Sequence, residues 1–412
     1  MPVFRCRPAT VGKDRSIGNP VSRRRFRAGR TPVRALMISP GLPKRLNGLT
    51  ILRFFAAFWV VLYHLRGRSG YPAGDSYLPI IDNGPMAISV FFILSGLVLA
   101  YGYSELTTGG ISSFYLARFS RIYPAYFCVH LAALFIFPVA DAGGWLSWGY
   151  VNLLGFLCLQ AWFPHAFRFS VSSGTWTIGD EFTFYALFPF LLRPLDRLRR
   201  KWGTLTACVP FVLLSGLFGS ADFFFNGQGT FIYYISPFAR LPEFVVGILL
   251  GLDLLEAPRQ RALPRVTVVV SVLALLGVAE LVPTYELGHL WTRWSIVIVP
   301  AAAAMLYSIA RAEQILQPAW NFVTSRILIY LGELSYCLFL GHMLPVVWLD
   351  LPAGRVWRNK IMAAGNSFSL WVVLLVVSLV IALILHEGVE KPARRWIMRR
   401  WGAVSGRKHS PV

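Results

Sequence analysis

Residues 368–388 read F-S-L-W-V-V-L-L-V-V-S-L-V-I-A-L-I-L-H-E-G, and no acidic or basic side chain interrupts the first eighteen of them. A helix needs roughly 20 predominantly apolar residues to cross the hydrocarbon core of a bilayer, so this stretch reads as a membrane span. Ten more apolar runs flank it upstream, near 48–66, 84–103, 122–140, 147–163, 179–194, 204–219, 232–252, 266–283, 294–311 and 327–349. The composition agrees. Of 412 residues 56% are hydrophobic, 15% aromatic and only 14% charged, with a mean hydropathy of +0.56, whereas soluble domains carry roughly 25% charged residues. Disordered, collagenous and disulfide-scaffold chains are excluded by the apolar, aperiodic sequence and its five scattered cysteines. The expected fold is an all-α polytopic membrane helix bundle.

Charge sets the orientation. Residues 1–46 carry 12 Lys/Arg against one acid, Asp14, and residues 389–412 carry seven against one, Glu390. These two tails hold 17 of the 21 net positive charges. Eleven spans would place them on opposite sides, against the positive-inside rule. If 147–163 is an outer re-entrant or interfacial piece, about ten transmembrane helices remain, both termini are cytoplasmic, and 31 of 40 Lys/Arg lie inside. The expected domains are a basic disordered tail over 1–46, a membrane domain over 47–388 and a basic cytoplasmic tail over 389–412. Basic tails on an apolar body fit anionic lipid better than nucleic acid, for which no binding fold is visible. The cysteines form no C-x-x-C pair, so neither a zinc site nor a disulfide is expected.

Charged and polar groups inside spans are costly and mark function or pairing. Arg53 and His64 are eleven residues apart on the first span, three turns plus about 20°. They therefore share a face, about 16 Å apart along the axis, with His64 toward the outer end. Histidine suits general-base chemistry at neutral pH, although both residues would also snorkel to opposite interfaces. Arg118 and Arg121 are i, i+3 neighbours suited to bidentate phosphate contacts, or to plain inside-positive anchoring. Asp180 and Glu181 open a helix, where the dipole alone accounts for acids; Tyr185 is placed to hold the Glu181 carboxylate. Arg240, Glu243 and Gly247 form one stripe, read either as a structural ion pair or as path lining. Ser335 and His342 share a face seven residues apart, with Tyr336 adjacent. No P-loop, G-x-S-x-G elbow or H-E-x-x-H motif is present. The tryptophans Trp145, Trp148, Trp162 and Trp176 fit either interfacial anchoring or stacking on sugar rings.

The order of these motifs is more specific than any one of them. Arg53-x10-His64, Phe91-Phe92-Ile93-Leu94-Ser95-Gly96, Arg118-x-x-Arg121-Ile122-Tyr123-Pro124 and Thr175-Trp176-Thr177-Ile178-x-x-Glu181-x-x-Phe184-Tyr185 follow in turn. Then come Arg240-x-x-Glu243-Phe244-x-x-Gly247, Leu331-Gly332-x-x-Ser335-Tyr336-x-x-Phe339-Leu340-x-His342 and Glu390-Lys391-Pro392. Over 47–396 the chain resembles the acyltransferase-3 family of integral membrane O-acyltransferases. It departs from that pattern at Ala87-Ile88-Ser89-Val90, where many members carry a Gly-Val-Asp-like triplet, and at Thr177, where many carry Ser. The residues after 388 are too few for the soluble hydrolase-like domain that some members append.

The resemblance implies ten spans and an acyl-CoA donor, usually acetyl-CoA, approached from the cytoplasm; a metal held by His64 and His342 is geometrically possible but unsupported by spacing, so none is expected. It implies an acceptor hydroxyl on a cell-envelope or exported polysaccharide or glycolipid, and residence in a bacterial cytoplasmic membrane. On that reading Arg118 and Arg121 bind the CoA phosphates and Arg53 stabilises charge along the donor path. His64 is the general base or transient acyl acceptor, and Glu181, expected at the outer end beside His64, orients it or activates the acceptor. Tyr185, Arg240, Glu243, Ser335, Tyr336 and His342 support or line the path. A transporter or flippase of a lipid-linked sugar is the rival reading, which a charged stripe across a bundle would also fit.

Overall fold

The structure is a computed structural model that describes residues 42–43, 45–71, 78–136, 144–164, 166, 174–220, 234–257, 264–282, 295–316 and 325–402. Helices run through them in the order α1 (Asn47–Ser69), α2 (Pro79–Asp82), α3 (Ala87–Tyr103), α4 (Ile111–Leu134), α5 (Trp145–Phe156), α6 (Trp176–Trp202), α7 (Thr204–Gly219) and α8 (Pro237–Glu256). There follow α9 (Pro264–Leu281), α10 (Ser295–Leu316), α11 (Arg326–Gly341), α12 (Met343–Trp348), α13 (Pro352–Ala364), α14 (Ser367–Leu385) and α15 (Lys391–Gly402). A π-helix, His386–Glu390, joins α14 to α15.

Among the described residues five helical stretches are long and apolar enough to cross a membrane: Asn47–Ser69, Gly84–Tyr103, Ser295–Leu316, Arg326–Trp348 and Ser367–Trp401. A sixth is counted if α6 and α7, which meet at 119°, are taken as one bent span. The protein is a polytopic helical membrane protein. The α6–α7 turn is made at Gly203, whose φ of 81° and ψ of 155° suit a residue without a Cβ. Apolar stripes face outward, as lipid requires: the exposed side chains of α7 include Leu205, Val209, Leu213 and Leu217, spaced by four.

Three local features, the first in line with the sequence expectation and the other two departing from it, matter for the site. Segment 147–163 resolves into the 12-residue α5 and a 3-10 turn at Gln160–Trp162. A helix of that length rises about 18 Å, short of the roughly 30 Å a span requires. Helix α4 begins at Ile111 rather than near 122, so Arg118 and Arg121 lie inside it. The polar run before Ile122 hides this start from hydropathy, yet its Ser113, Phe114 and Ser120 are buried. Residues 391–402 of the expected C-terminal tail form α15, packed against α4. Residues 1–41, Lys44 and 403–412 of the two tails lie outside the described residues.

The core is organised by two close helix crossings. At the first, α3 meets α8: a Cβ added at Gly96 would collide with the Phe244 backbone, and one at Gly247 with that of Ile93. Small residues let backbones approach this closely in membrane bundles. Around the seam Phe184 stacks on Phe244 at 4.8 Å and meets Phe92 edge-on at 5.2 Å. The second crossing puts Gly332 of α11 against the backbone of Thr50 in α1.

Helix α1 receives its N-terminal cap from a distant residue. The N–H groups of Asn47 and Gly48 donate to the two carboxylate oxygens of Glu313, at 2.7 and 2.9 Å, and Glu313 is fully buried on α10. First-turn N–H groups have no intrahelical acceptor, and an acid there also complements the helix dipole. Glu313→Ala leaves both donors unmet, that of Gly48 fully buried and that of Asn47 partly so. It is expected to cost about 1–3 kcal/mol, read as a lower unfolding midpoint of the purified protein in detergent; an unchanged midpoint would discard this account of the cap.

Candidate active site

One pocket lies between α1, α3, α4, α6 and α11. Arg53, Ser95, Arg118, Arg121, Thr177, Glu181, Tyr185, Ser335, Tyr336 and Phe339 line it, with apolar residues of α3 completing the wall. Its empty volume is about 810 Å³, part of it open to solvent. Three arginines face one acid there, so the lining carries net positive charge. Seven of the eleven expected site residues thus share one space. Within it the Tyr185 hydroxyl donates to Glu181 Oε2 at 3.3 Å. Arg118 Nη2 donates to the Tyr103 hydroxyl at 3.2 Å while its guanidinium lies over that ring. The Tyr336 hydroxyl donates to Ile122 O at 2.8 Å, tying α11 to α4 at the pocket wall.

His64 and His342 lie outside this lining and face each other. His64 Nδ1 is 3.3 Å from His342 Nε2, and the ring centroids are 5.1 Å apart. His64 Nδ1 is also 3.0 Å from Val60 O, and His342 Nδ1 is 2.6 Å from Phe339 O. His342 is fully buried, whereas His64 is half-buried. Phe339 connects the two regions. Its ring lines the pocket and lies 5.9 Å from that of His342.

Glu181 is not where the sequence placed it. It lines the pocket with the three arginines, whereas the ring contacts of His64 are to Val60 O, Tyr63 and His342. The reason is the depth at which α6 starts. Gln160 Nε2 donates to Thr175 O at 2.6 Å, and Gly179 abuts Cys158 and Ala161. The segment from α5 to the 3-10 turn therefore tucks over the start of α6 and leaves Trp176 buried between Phe92 and Tyr234. For the same reason Trp176 has no face to offer a sugar ring.

Arg240 and Glu243 are not in the pocket lining either. Arg240 Nη1 donates to Glu243 Oε1 at 2.8 Å, and both residues are buried. Ser89 donates to the same oxygen at 3.0 Å. Arg240 Nε donates to Tyr234 O at 2.6 Å, with the guanidinium 4.5 Å above the Tyr234 ring. This is a buried ion pair with its own hydrogen bonds, and its stripe-mate Gly247 serves the α3 crossing. Asp180, read from sequence only as a dipole acid, is fully buried within electrostatic range of this pair. Neither of its carboxylate oxygens has a hydrogen-bond partner among the described residues.

The cysteines and His386 were expected to have no special setting, and Cys337 and His386 depart from this. The Cys337 thiol and His386 Nδ1–H both donate to Glu390 Oε2, at 3.2 and 2.8 Å. All three residues are buried. No signal in the spacing of the sequence joins Cys337 to the 386–390 turn. By contrast, Ser95, Thr177 and Phe339 sit within the quoted motifs, and their place in the lining was legible there.

The chain is similar to known proteins. The family model described as an acyltransferase domain matches residues 46–387. The acyltransferase MdmB of Streptomyces mycarofaciens is 30% identical over 379 residues, covering 86% of this chain and 93% of its own. The O-acetyltransferase OatA of Staphylococcus aureus is 21% identical over 374 residues, covering 86% of this chain and 58% of its own. An uncharacterized protein of Haemophilus influenzae is 28% identical over 186 residues, which is 40% of this chain and 74% of its own. No solved structure matches the chain.

Proposed function

Since the chain belongs to the acyltransferase-3 family of membrane acyltransferases, we propose that it moves an acetyl or other short acyl group from cytoplasmic acyl-CoA to a hydroxyl of a cell-envelope or exported glycan. The observation that carries the donor half is the pocket, where Arg53, Arg118 and Arg121 converge with a single acid. Planar guanidinium groups match phosphate oxygens two bonds at a time, and a nucleotide thioester brings several phosphates. Glu181, held by Tyr185, balances part of that charge when the pocket is empty. The acceptor half is carried by His64, which is half-buried beyond Phe339 and therefore reachable by a hydroxyl. The names of the relatives support acyl transfer, and for OatA transfer of acetyl to oxygen.

In this reading ten helices cross a bacterial cytoplasmic membrane: α1, α3, α4, α6, α7, α8, α9, α10, α11 and α14. Helices α4 and α8, of 24 and 20 residues, rise about 36 and 30 Å. The charges of α8 at Arg240 and Glu243 are buried against protein, so they do not oppose insertion. Both tails then face the cytoplasm. Two of the arginines left outside are neutralised, Arg66 by Asp82 and Arg68 by Asp350.

The test is transfer from radiolabelled acetyl-CoA in membranes bearing the protein, together with base-labile ester content of the host's glycans by proton NMR in wild type and deletion. Loss of ester with glycan yield unchanged supports transfer. Loss of yield with the ester fraction unchanged transfers the case to a flippase. Arg118→Gln and Arg121→Gln are each expected to raise the donor KM about 10- to 100-fold, the worth of a hydrogen bond to a charged group. A KM unchanged in both variants would remove the arginine pair from the donor site.

A further inference from the structure

His342 has a position that none of the roles above explains: a fully buried imidazole spanning a backbone carbonyl and the ring of His64. A carbonyl oxygen only accepts hydrogen bonds. His342 Nδ1, 2.6 Å from Phe339 O, must therefore carry the proton, and a neutral ring then has a bare lone pair on Nε2. That lone pair points at His64 Nδ1, 3.3 Å away. His64 Nδ1 also faces Val60 O at 3.0 Å, so two acceptors converge on one nitrogen and only an N–H satisfies both. The proton of His64 is thereby fixed on Nδ1, and Nε2 is left unprotonated. Phe339 O is free for this task because it belongs to the last turn of α11, whose carbonyls have no intrahelical donor.

We propose that His342 is a positioning residue for acyl transfer: it holds His64 in the Nδ1–H tautomer, aims its basic Nε2 at the acceptor hydroxyl, and accepts from the imidazolium that forms. This rests on the reading of His64 as the general base. In the step itself, the acceptor hydroxyl gives its proton to His64 Nε2 while its oxygen bonds to the thioester carbonyl carbon. The C–S bond then breaks, and the departing sulfur takes the same proton from Nε2, so ester and thiol form with His64 restored. While Nε2 is protonated the ring is cationic, and the Nδ1–H bonds to Val60 O and His342 Nε2 become charge-assisted and stronger. The second histidine thus serves as an uncharged counterpart of the carboxylate that orients the base in hydrolase triads.

Two measurements on the full chain in bilayers test this. The first is ring-15N histidine NMR, with His64→Gln and His342→Gln assigning two of the seven histidines. Both rings are expected as Nδ1–H tautomers, although a neutral imidazole in water carries its proton mainly on Nε2. Finding either ring as Nε2–H overturns the proposal, whatever the variants do. The second is kinetic. His342→Leu is expected to lower kcat about 10- to 100-fold, the worth of one hydrogen bond to a charged group, with the donor KM unchanged. His342→Gln, whose amide oxygen can accept in place of Nε2, is expected to recover most of that loss. Equal activity of the Leu variant and wild type, or no recovery with Gln, overturns the role of His342. If His64→Ala itself keeps full transfer, the underlying assignment of the base fails instead.

Discussion

Replacing His64 with alanine is expected to lower acyl transfer about 100- to 10,000-fold, the range that a positioned proton-transfer group supplies. The protein should still fold. His64 is half-buried near the C-terminal end of α1, and the change removes no charge partner and leaves the Gly332–Thr50 crossing untouched. The measurement is single-turnover transfer from labelled acetyl-CoA at matched membrane levels. The donor KM should stay near the wild-type value, because His64 does not line the pocket that holds the arginines. A large rise in donor KM with kcat preserved would place His64 in donor binding and remove it from proton transfer.

The second large effect is on stability. Breaking a buried ion pair by removing one partner typically costs about 3–5 kcal/mol, because the remaining charge stays buried, whereas replacing both with apolar groups is often neutral. Glu243→Leu should therefore destabilise the bundle by about 3–5 kcal/mol, and in addition free the Ser89 hydroxyl that donates to it. Arg240→Met combined with Glu243→Leu should return most of that loss. Since neither residue lines the pocket, the double variant should also retain transfer. Thermal unfolding followed by tryptophan fluorescence decides between the accounts. A double variant as unstable as the single one would mean that Arg240 and Glu243 contribute separately and not as a pair.

Much of the bundle was legible in the chain because a membrane turns composition into architecture. The run at 368–388 could be little other than a span, and α14 occupies Ser367–Leu385. The site was legible in a different way. Arg53, Arg118, Arg121, Glu181, Tyr185, Ser335 and Tyr336 are costly in an apolar setting, and such groups gather where they can solvate one another. Depth was not legible. Hydropathy marks where an apolar run lies along the chain, not whether its helix starts at the membrane surface or beneath another segment. Glu181 was therefore placed beside His64 when it lies among the arginines. Facing was not legible either: Asp180 and Glu181 are adjacent, and only the neighbours of α6 decide that one meets the Arg240 pair and the other the pocket. The Glu313 cap joins residues 265 positions apart, with no local pattern to announce it.

Phe339 has two faces of consequence. Its ring forms part of the pocket wall, and its carbonyl oxygen lies 2.6 Å from His342 Nδ1. A guest that fills the pocket would meet the same residue whose carbonyl faces the His342 ring. On the proposed reading, the donor pocket and the alignment of the base therefore share one backbone unit. On the same reading, a donor too small to reach that ring would miss this contact, and fit at Phe339 would add to the shared phosphates as a means of discriminating among acyl donors.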